Sequence, residues 1–141
     1  MIVWRRREDN PWVHEAEVLV KQLVPVVSHA QTDQAQYSPG PFSMTGPNMV
    51  SEMLRATGFD HVIFERYDTE VCIGQSVDEA VEFAMAMGPA GEIIRLAGDE
   101  GIKRKQEVVA ALRKHFTPHG REDGVWYESS SWFVGARNPT T

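Results

Sequence analysis

Histidine is the side chain of this sequence best suited to bind a metal ion or move a proton. The sequence contains five histidines and a single cysteine, Cys72. The five are His14, His29, His61, His115 and His119. His115 and His119 are four residues apart, as on one face of a helix, but Pro118 is expected to end a helix between them. The spacing therefore does not predict a metal site.

Serines and carboxylates offer two further kinds of chemistry. The run Ser129–Ser131 lacks the glycine elbow that presents a hydrolase nucleophile, so it does not indicate a hydrolase. Asp68 and Glu70 are two apart on a predicted strand and share a face, which fits an acid/base pair. The same spacing is more typical of a solvated sheet edge, and no catalytic residue is identified.

Composition and charge limit the classes of protein to which the chain can belong. With 141 residues, 42% hydrophobic and 24% charged, we expect one soluble domain over residues 1–141. The net charge of −6 argues against a nucleic acid or an anionic membrane as partner. The basic run Arg5–Arg7 is followed by Glu8 and Asp9, which indicates a solvated strand exit. One cysteine and no long apolar stretch predict a cytoplasmic protein without a membrane span.

The last apolar stretch, Ser130–Asn138, predicts the central strand of a sheet. Its residues 132–136 are almost continuously apolar, which is typical of a strand that is buried on both faces. Two further strands are predicted at Ile2–Arg6 and His61–Thr69, and the polar end of the second indicates a sheet edge. Helices must connect strands so far apart in sequence, so the pattern predicts an α/β fold. The last strand could run antiparallel to both neighbours.

Capping signals and prolines predict four to five helices between the strands. Asn10-Pro11 is typical of a helix start, Ser76-x-x-Glu79 is a capping box, and Gly88-Pro89 interrupts the helix that follows it. The predicted helices cover residues 11–24, 47–57, 76–87 with the segment after the interruption, and 102–115. The predicted loops and turns cover residues 26–40, 98–101 and 117–124, and Gly124–Tyr127 is expected to re-enter the sheet and lead to the last strand.

Four stretches keep an order and spacing that together indicate a family. They are IVWRRREDNPW from Ile2, GPFSM with VSEMLRATGFDHVIFE from Gly40, SVDEAVEFAMAMGPAGEIIRLAG from Ser76, and SSSWFVGARNP from Ser129. In this order they resemble the C-terminal half of class I S-adenosylmethionine-dependent methyltransferases that act on small molecules, near the ubiquinone and menaquinone methyltransferases. The resemblance implies a partial Rossmann-like sheet of three strands, whose C-terminal strand is central and antiparallel to both neighbours. It also implies a helical cap insertion over residues 76–116.

The cofactor-binding half of such an enzyme has no counterpart in this sequence. In the resembled family a glycine-rich turn and an acidic residue after the first strands hold S-adenosylmethionine. The closest glycine cluster here, Gly98-x-x-Gly101, follows a predicted helix instead of a strand. We therefore expect no cofactor to bind this chain alone, and S-adenosylmethionine to bind only if a complementary N-terminal half is supplied. A missing neighbouring strand would also explain a strand at Met1, whether Met1 is a natural start or a fragment boundary.

The resemblance also implies where a substrate would bind. The turn after the first strand, the loop before the second helix and the helical insertion border the substrate pocket of the resembled enzymes. The residues at these places are Trp4, Asn10, Trp12, Phe42, Phe83 and Met87. Large apolar residues dominate cores and pockets alike, so the alternative that these side chains are core residues stays open.

Three functions remain compatible with the sequence. The chain could be a truncated or split small-molecule methyltransferase, a non-catalytic module that binds a small apolar ligand, or a homo-oligomeric assembly module. Strand Ile2–Arg6 would leave one edge unpaired, and an open edge pairs readily with another chain. We therefore expect a homodimer, or a complementary N-terminal methyltransferase chain, as the partner.

Overall fold

The structure, a computed structural model, describes residues 1–25 and 40–139. Its five α-helices and open, four-stranded antiparallel sheet form an α/β fold that fits a partial Rossmann-like arrangement. The helices are α1 (Pro11–Leu23), α2 (Pro47–Ala56), α3 (Val77–Met87), α4 (Pro89–Leu96) and α5 (Gly98–Phe116). The strands are β1 (Ile2–Trp4), β2 (Asp60–Gly74), β3 (Gly120–Arg121) and β4 (Gly124–Arg137). Residues 26–39 of the predicted loop, with His29, lie outside the described residues.

The predicted order of the three longer strands is confirmed. β4 lies between β1 and β2 and is antiparallel to both, and its register with β1 pairs Ile2 with Phe133 and Trp4 with Ser131. The predicted burial of the last strand on both faces is wrong, since Phe133 is 37% exposed whereas Ser131 is buried. The central position of β4 therefore follows from backbone pairing on both sides and not from two-sided burial.

The ends of the strands differ from the prediction. β1 stops at Trp4 and is followed by a short 3-10 helix at Arg7–Asp9, where the sequence predicted a strand as far as Arg6. β2 continues to Gly74 through a polar stretch. The predicted return to the sheet at Gly124–Tyr127 is confirmed, and β4 runs on from Gly124 without a break before Ser130. β2 and β4 are long antiparallel neighbours, and each supplies the other with backbone hydrogen bonds. Polar residues can therefore belong to these strands even where polar and apolar residues do not alternate.

The helices begin and end largely where capping signals predict. The predicted cap at Ser76 is confirmed, because Ser76 Oγ accepts from Glu79 N at 3.2 Å. Glu79 Oε2 accepts at 2.8 Å from the N–H of Gln75, one residue before the N-cap, in place of the Ser76 N–H of a full capping box. Helices α3, α4 and α5 cover the predicted helical segment 76–116, with a break at Gly88. The predicted loop at 98–101 is wrong, since α5 begins at Gly98. Residues 117–121 form a 3-10 helix and then β3, where a polar turn was predicted.

The described residues fall into two compact units. We call residues 1–10, 40–69 and 129–139 the sheet unit, and residues 11–25 and 70–128 the helical unit. The main hydrophobic core lies in the helical unit, where Val20, Leu112 and Phe116 are almost fully buried. Among the described helices, none has the length and apolar character that a membrane crossing requires.

Candidate functional site

A cavity of about 340 Å³ lies along β1 in the sheet unit, and all three residues of this strand line it. Trp4, the last residue of β1, lines it together with Ile2, Pro41 and Met44. Phe42 packs against Trp4, with 6.3 Å between the ring centroids. Two of the predicted substrate-binding residues, Trp4 and Phe42, are thus brought together, and of the two Trp4 lines the cavity.

The turn that carries Phe42 is held by its own hydrogen bonds. Ser43 donates to the carbonyl oxygen of Gly40 both from its backbone N–H, at 3.0 Å, and from its hydroxyl, at 2.7 Å. The hydroxyl-bearing residues Ser43 and Ser131 also line the cavity. An apolar wall with a few polar groups is the usual composition of a small-molecule site.

Arg7 contacts Phe42, and the sequence did not predict this contact. Its guanidinium lies over the ring of Phe42, 5.6 Å from the centroid, which is the geometry of a cation–π contact. The sequence indicated a solvated strand exit for this arginine. The short 3-10 helix after β1 was not predicted, and it is this helix that carries Arg7.

Asn10 is fully buried, at 0% exposure, and its amide holds the backbone of the sheet unit together. Its Nδ2 donates to the carbonyl oxygens of Arg5, Arg6 and Ser130 at 3.4, 3.0 and 3.1 Å. Its Oδ1 accepts from the N–H of Ser130 at 2.9 Å. The side chain therefore fixes the turn after β1 against β4, which positions the strand that carries Trp4.

A charged network continues from Ser130. Its hydroxyl accepts from Arg5 Nη1 at 2.9 Å and donates to Asp68 Oδ1 at 2.5 Å. Hydrogen bonds from Arg66 and then from Ser130 lower the pKa of Asp68. A carboxyl group whose pKa is lowered is a weak base near neutral pH. This part of the site is therefore suited to hold structure rather than to transfer protons.

Glu70, the other member of the predicted carboxylate pair, lies in the helical unit and is bound by Arg121. Its hydrogen bond with that guanidinium lowers the pKa of the carboxyl. Asp68 and Glu70 thus each bind an arginine, and their geometry favours the solvated edge over an acid/base pair.

Trp12, Phe83 and Met87 belong to the helical unit. Trp12 and Phe83 are partly buried, pack against the core and stand 5.9 Å apart between ring centroids. Met87 is the last residue of α3 and is 76% exposed. The contacts of Trp12 and Phe83 fit the core alternative. A substrate-binding role for all three stays a prediction.

Histidines surround a buried tyrosine in the helical unit. His119 stacks on Tyr127 at 4.0 Å between centroids, and His115 Nε2 lies 3.1 Å from a carboxylate oxygen of Glu15. The Tyr127 hydroxyl has no hydrogen-bond partner among the described residues, and burial, followed by Glu15, raises its pKa. Within residues 1–25 and 40–139, no group of three or more histidine, cysteine, aspartate or glutamate side chains could hold a metal ion.

Comparisons with known proteins supply no family for this chain. No protein-family model matches it, and a search of curated proteins found no significant match. A function must therefore be argued from the fold and from the cavity beside Trp4.

Proposed function

We propose that this chain forms the substrate-binding part of a class I small-molecule methyltransferase, whose cofactor-binding half is supplied by further polypeptide. The cavity beside Trp4 carries the proposal, because it runs along β1 and its lining includes Trp4, the residue at the carboxyl end of this strand. In open α/β sheets, small ligands bind outside the carboxyl ends of the strands. The strand order, with β4 antiparallel between β1 and β2, agrees with the last three strands of the resembled enzymes.

The lining of the cavity favours a flat, mostly apolar methyl acceptor with a polar group. Trp4 offers an aromatic surface, Met44 can adapt to an apolar outline, and the hydroxyl of Ser131 offers a hydrogen bond. In this proposal the chain binds and orients the acceptor and excludes water from it. S-adenosylmethionine, bound to the other half, supplies the methyl group.

Binding of a flat aromatic probe tests the cavity directly. We expect naphthol to bind the chain, and Trp4→Leu to weaken this binding about five-fold, since an aromatic contact contributes roughly 1 kcal/mol. Titration calorimetry measures both affinities. Phe64→Leu is the matched control, because Phe64 packs on Trp132 elsewhere in the sheet unit. Equal affinities for the chain and Trp4→Leu would contradict the proposal.

The division of the enzyme into two halves has its own test. We expect calorimetry to show no micromolar binding of S-adenosylmethionine to the pure chain, because its sequence contains no glycine-rich turn after a strand. Methyl transfer to a phenolic acceptor should require an added polypeptide that contains such a turn. Micromolar binding to the chain alone would refute this division.

A homo-oligomeric assembly module is the second candidate function, and an exposed apolar face of the sheet unit favours it. The exposed side chains are Ile2 (67%), Ile63 (66%), Tyr67 (47%) and Phe133 (37%). Ile2 lies opposite Phe133 in the register, and Tyr67 stacks on Phe133 at 4.8 Å. Contiguous exposed apolar side chains of this kind mark interaction sites, and β1 is an edge strand among the described strands.

Light scattering at micromolar concentration tests this assembly. We expect twice the mass of one chain, and Ile63→Asp should dissociate the dimer because it places a charge in the interface. Ile102→Asp is the matched control, since Ile102 is exposed to the same degree (68%) but lies in the helical unit. A single-chain mass for the unmodified protein would exclude the dimer.

A further inference from the structure

A trough of about 790 Å³ lies among helices α3, α4 and α5 of the helical unit. Its apolar surface comes from Val81 and Met85 on α3, Ile94 on α4 and Val109 on α5. Val81 and Ile94 belong to the core, whereas Ile102, which also lines the trough, is 68% exposed and lies at its rim. The volume is within the range of small-molecule pockets, so the trough is large enough for a ligand.

Helical spacing explains why the trough is continuous. Positions 78, 81, 82 and 85 follow one face of α3, and positions 102, 105, 109 and 113 follow one face of α5. Arg113, in the last turn of α5, donates to Asp78, in the first turn of α3, at 2.7 Å. This ion pair joins the two walls at one end.

The positively charged side chains around the trough differ in whether they have an ion-pair partner. Arg113 is bound by Asp78, and Arg95 is bound by Glu92 through two hydrogen bonds. Lys105, by contrast, has no ion-pair partner within residues 1–25 and 40–139. Its ammonium is therefore available to a negatively charged group that is brought in by a ligand.

Glu82 limits how much negative charge the ligand can carry. It lines the α3 wall and, like Lys105, has no ion-pair partner among the described residues. A carboxylate in the same trough repels a second negative charge, so a monoanion is favoured over a dianion such as an alkyl phosphate.

We infer that the trough binds an elongated apolar molecule that carries one carboxylate. The apolar body lies along Val81, Ile94 and Val109, and the carboxylate meets the ammonium of Lys105. Met85 adapts the wall to the outline of the ligand, because its unbranched side chain has several rotamers. This inference concerns the helical unit alone and does not depend on the proposed methyltransferase function.

Decanoate is the test ligand. Decanol and decyltrimethylammonium, which have the same alkyl chain, are the neutral and cationic comparison ligands. We expect calorimetry of the full chain to rank their affinities as decanoate, then decanol, then decyltrimethylammonium. Carbon-labelled methionine methyl groups locate the ligand by NMR, because Met85 lines the trough whereas Met53 lies in the sheet unit. The Met85 signal should shift on binding, and the Met53 signal should not.

Charge variants test the role of Lys105. Lys105→Gln should weaken decanoate about five-fold and leave decanol unchanged, as a partly exposed ion pair contributes up to about that factor. Glu82→Gln should strengthen decanoate about two-fold. Lys114→Gln is the matched control, since Lys114 is an exposed lysine of α5 outside the trough. The inference is overturned if decanoate does not bind, if the cationic ligand binds as tightly, if Lys105→Gln has no effect, or if Met85 does not shift.

Discussion

The two units of the chain bury different kinds of side chain. The helical unit buries large apolar residues, with Val20, Leu112 and Phe116 at 0–1% exposure. In the described part of the sheet unit, the buried hydrophobic residues are Val50 and Val134, and they are accompanied by the polar residues Asn10 and Ser129–Ser131. The helical unit is therefore stabilised mainly by apolar packing, and the sheet unit by hydrogen bonds.

This difference bears on where each unit offers a binding surface. The sheet unit leaves Ile2, Ile63 and Phe133 in solvent, so its apolar surface is available to a partner, whereas its polar groups are used internally. The helical unit covers a large apolar core and presents a trough between three helices. Substitutions should consequently have different effects in the two units.

The largest expected effect is the loss of an aromatic side chain from the helical core. Phe116→Ala should lower the free energy of unfolding by about 3–5 kcal/mol, because it leaves a cavity in a closely packed core. Phe133→Ala in the sheet unit should cost about 1 kcal/mol or less, since that ring is partly exposed. Urea denaturation measures both. Equal losses would mean that the two units do not differ in this way.

Removing the buried amide of the sheet unit should have the next largest effect. Asn10→Ala leaves the carbonyl oxygen and the N–H of Ser130 without this partner and is expected to cost about 2–3 kcal/mol. Asn48→Ala is the control, because Asn48 is exposed on α2 and alanine favours a helix. A loss below about 0.5 kcal/mol for Asn10→Ala would show that hydrogen bonds do not hold this unit.

Alanine substitutions at two glycines, one in each unit, should show the same difference in packing with smaller effects on stability. A Cβ at Gly101 would overlap the carbonyl oxygen of Ile94, so Gly101→Ala should cost about 1–3 kcal/mol. A Cβ at Gly135 would lie 3.0 Å from the side chain of Ile63, which is exposed and can rotate away. Gly135→Ala should therefore change stability by less than about 0.5 kcal/mol. The reverse order in thermal unfolding would contradict the contrast.

The smallest expected effect is a dependence of stability on pH, which arises from a carboxyl group at the surface of the sheet unit. Hydrogen bonds from Arg137 and then from His61 lower the pKa of Asp60 from 3.8 to about 2. A lowered folded-state pKa gives a stabilising contribution that is complete above the unfolded-state pKa and is lost as the pH falls through the folded-state value. We therefore expect the free energy of unfolding to decline as the pH falls from about 4 to about 2, and this decline to be absent in Asp60→Asn.

NMR titration of the Asp60 carboxyl checks this pKa directly, and denaturation across the same pH range checks the linkage. Glu92→Gln is the matched control in the helical unit, because Glu92 binds Arg95 within one helix and joins no separate elements. An Asp60 carboxyl that titrates near 3.8 would contradict the prediction.

Local chemistry made much of the fold predictable. Prolines, the capping box and the break at Gly88 act within a few residues, so the predicted starts of α1, α2, α3 and α4 agree with the structure. The order of the three longer strands was predicted from the apolar pattern together with the family resemblance. The end of β2 at Gly74 and the continuity of β4 through residues 128–129 were not predictable, because each strand is extended by the other and not by its own pattern.

The sequence by itself determined the α/β class, the starts of α1 to α4 and the residues beside the turn after β1. Tertiary structure alone decided that Trp4 meets Phe42, that Asn10 is fully buried, and that α5 begins at Gly98. It also decided the trough around Lys105. The reason is physical: caps and turns depend on neighbours along the chain, whereas a cavity depends on side chains from distant elements, whose meeting no local pattern encodes.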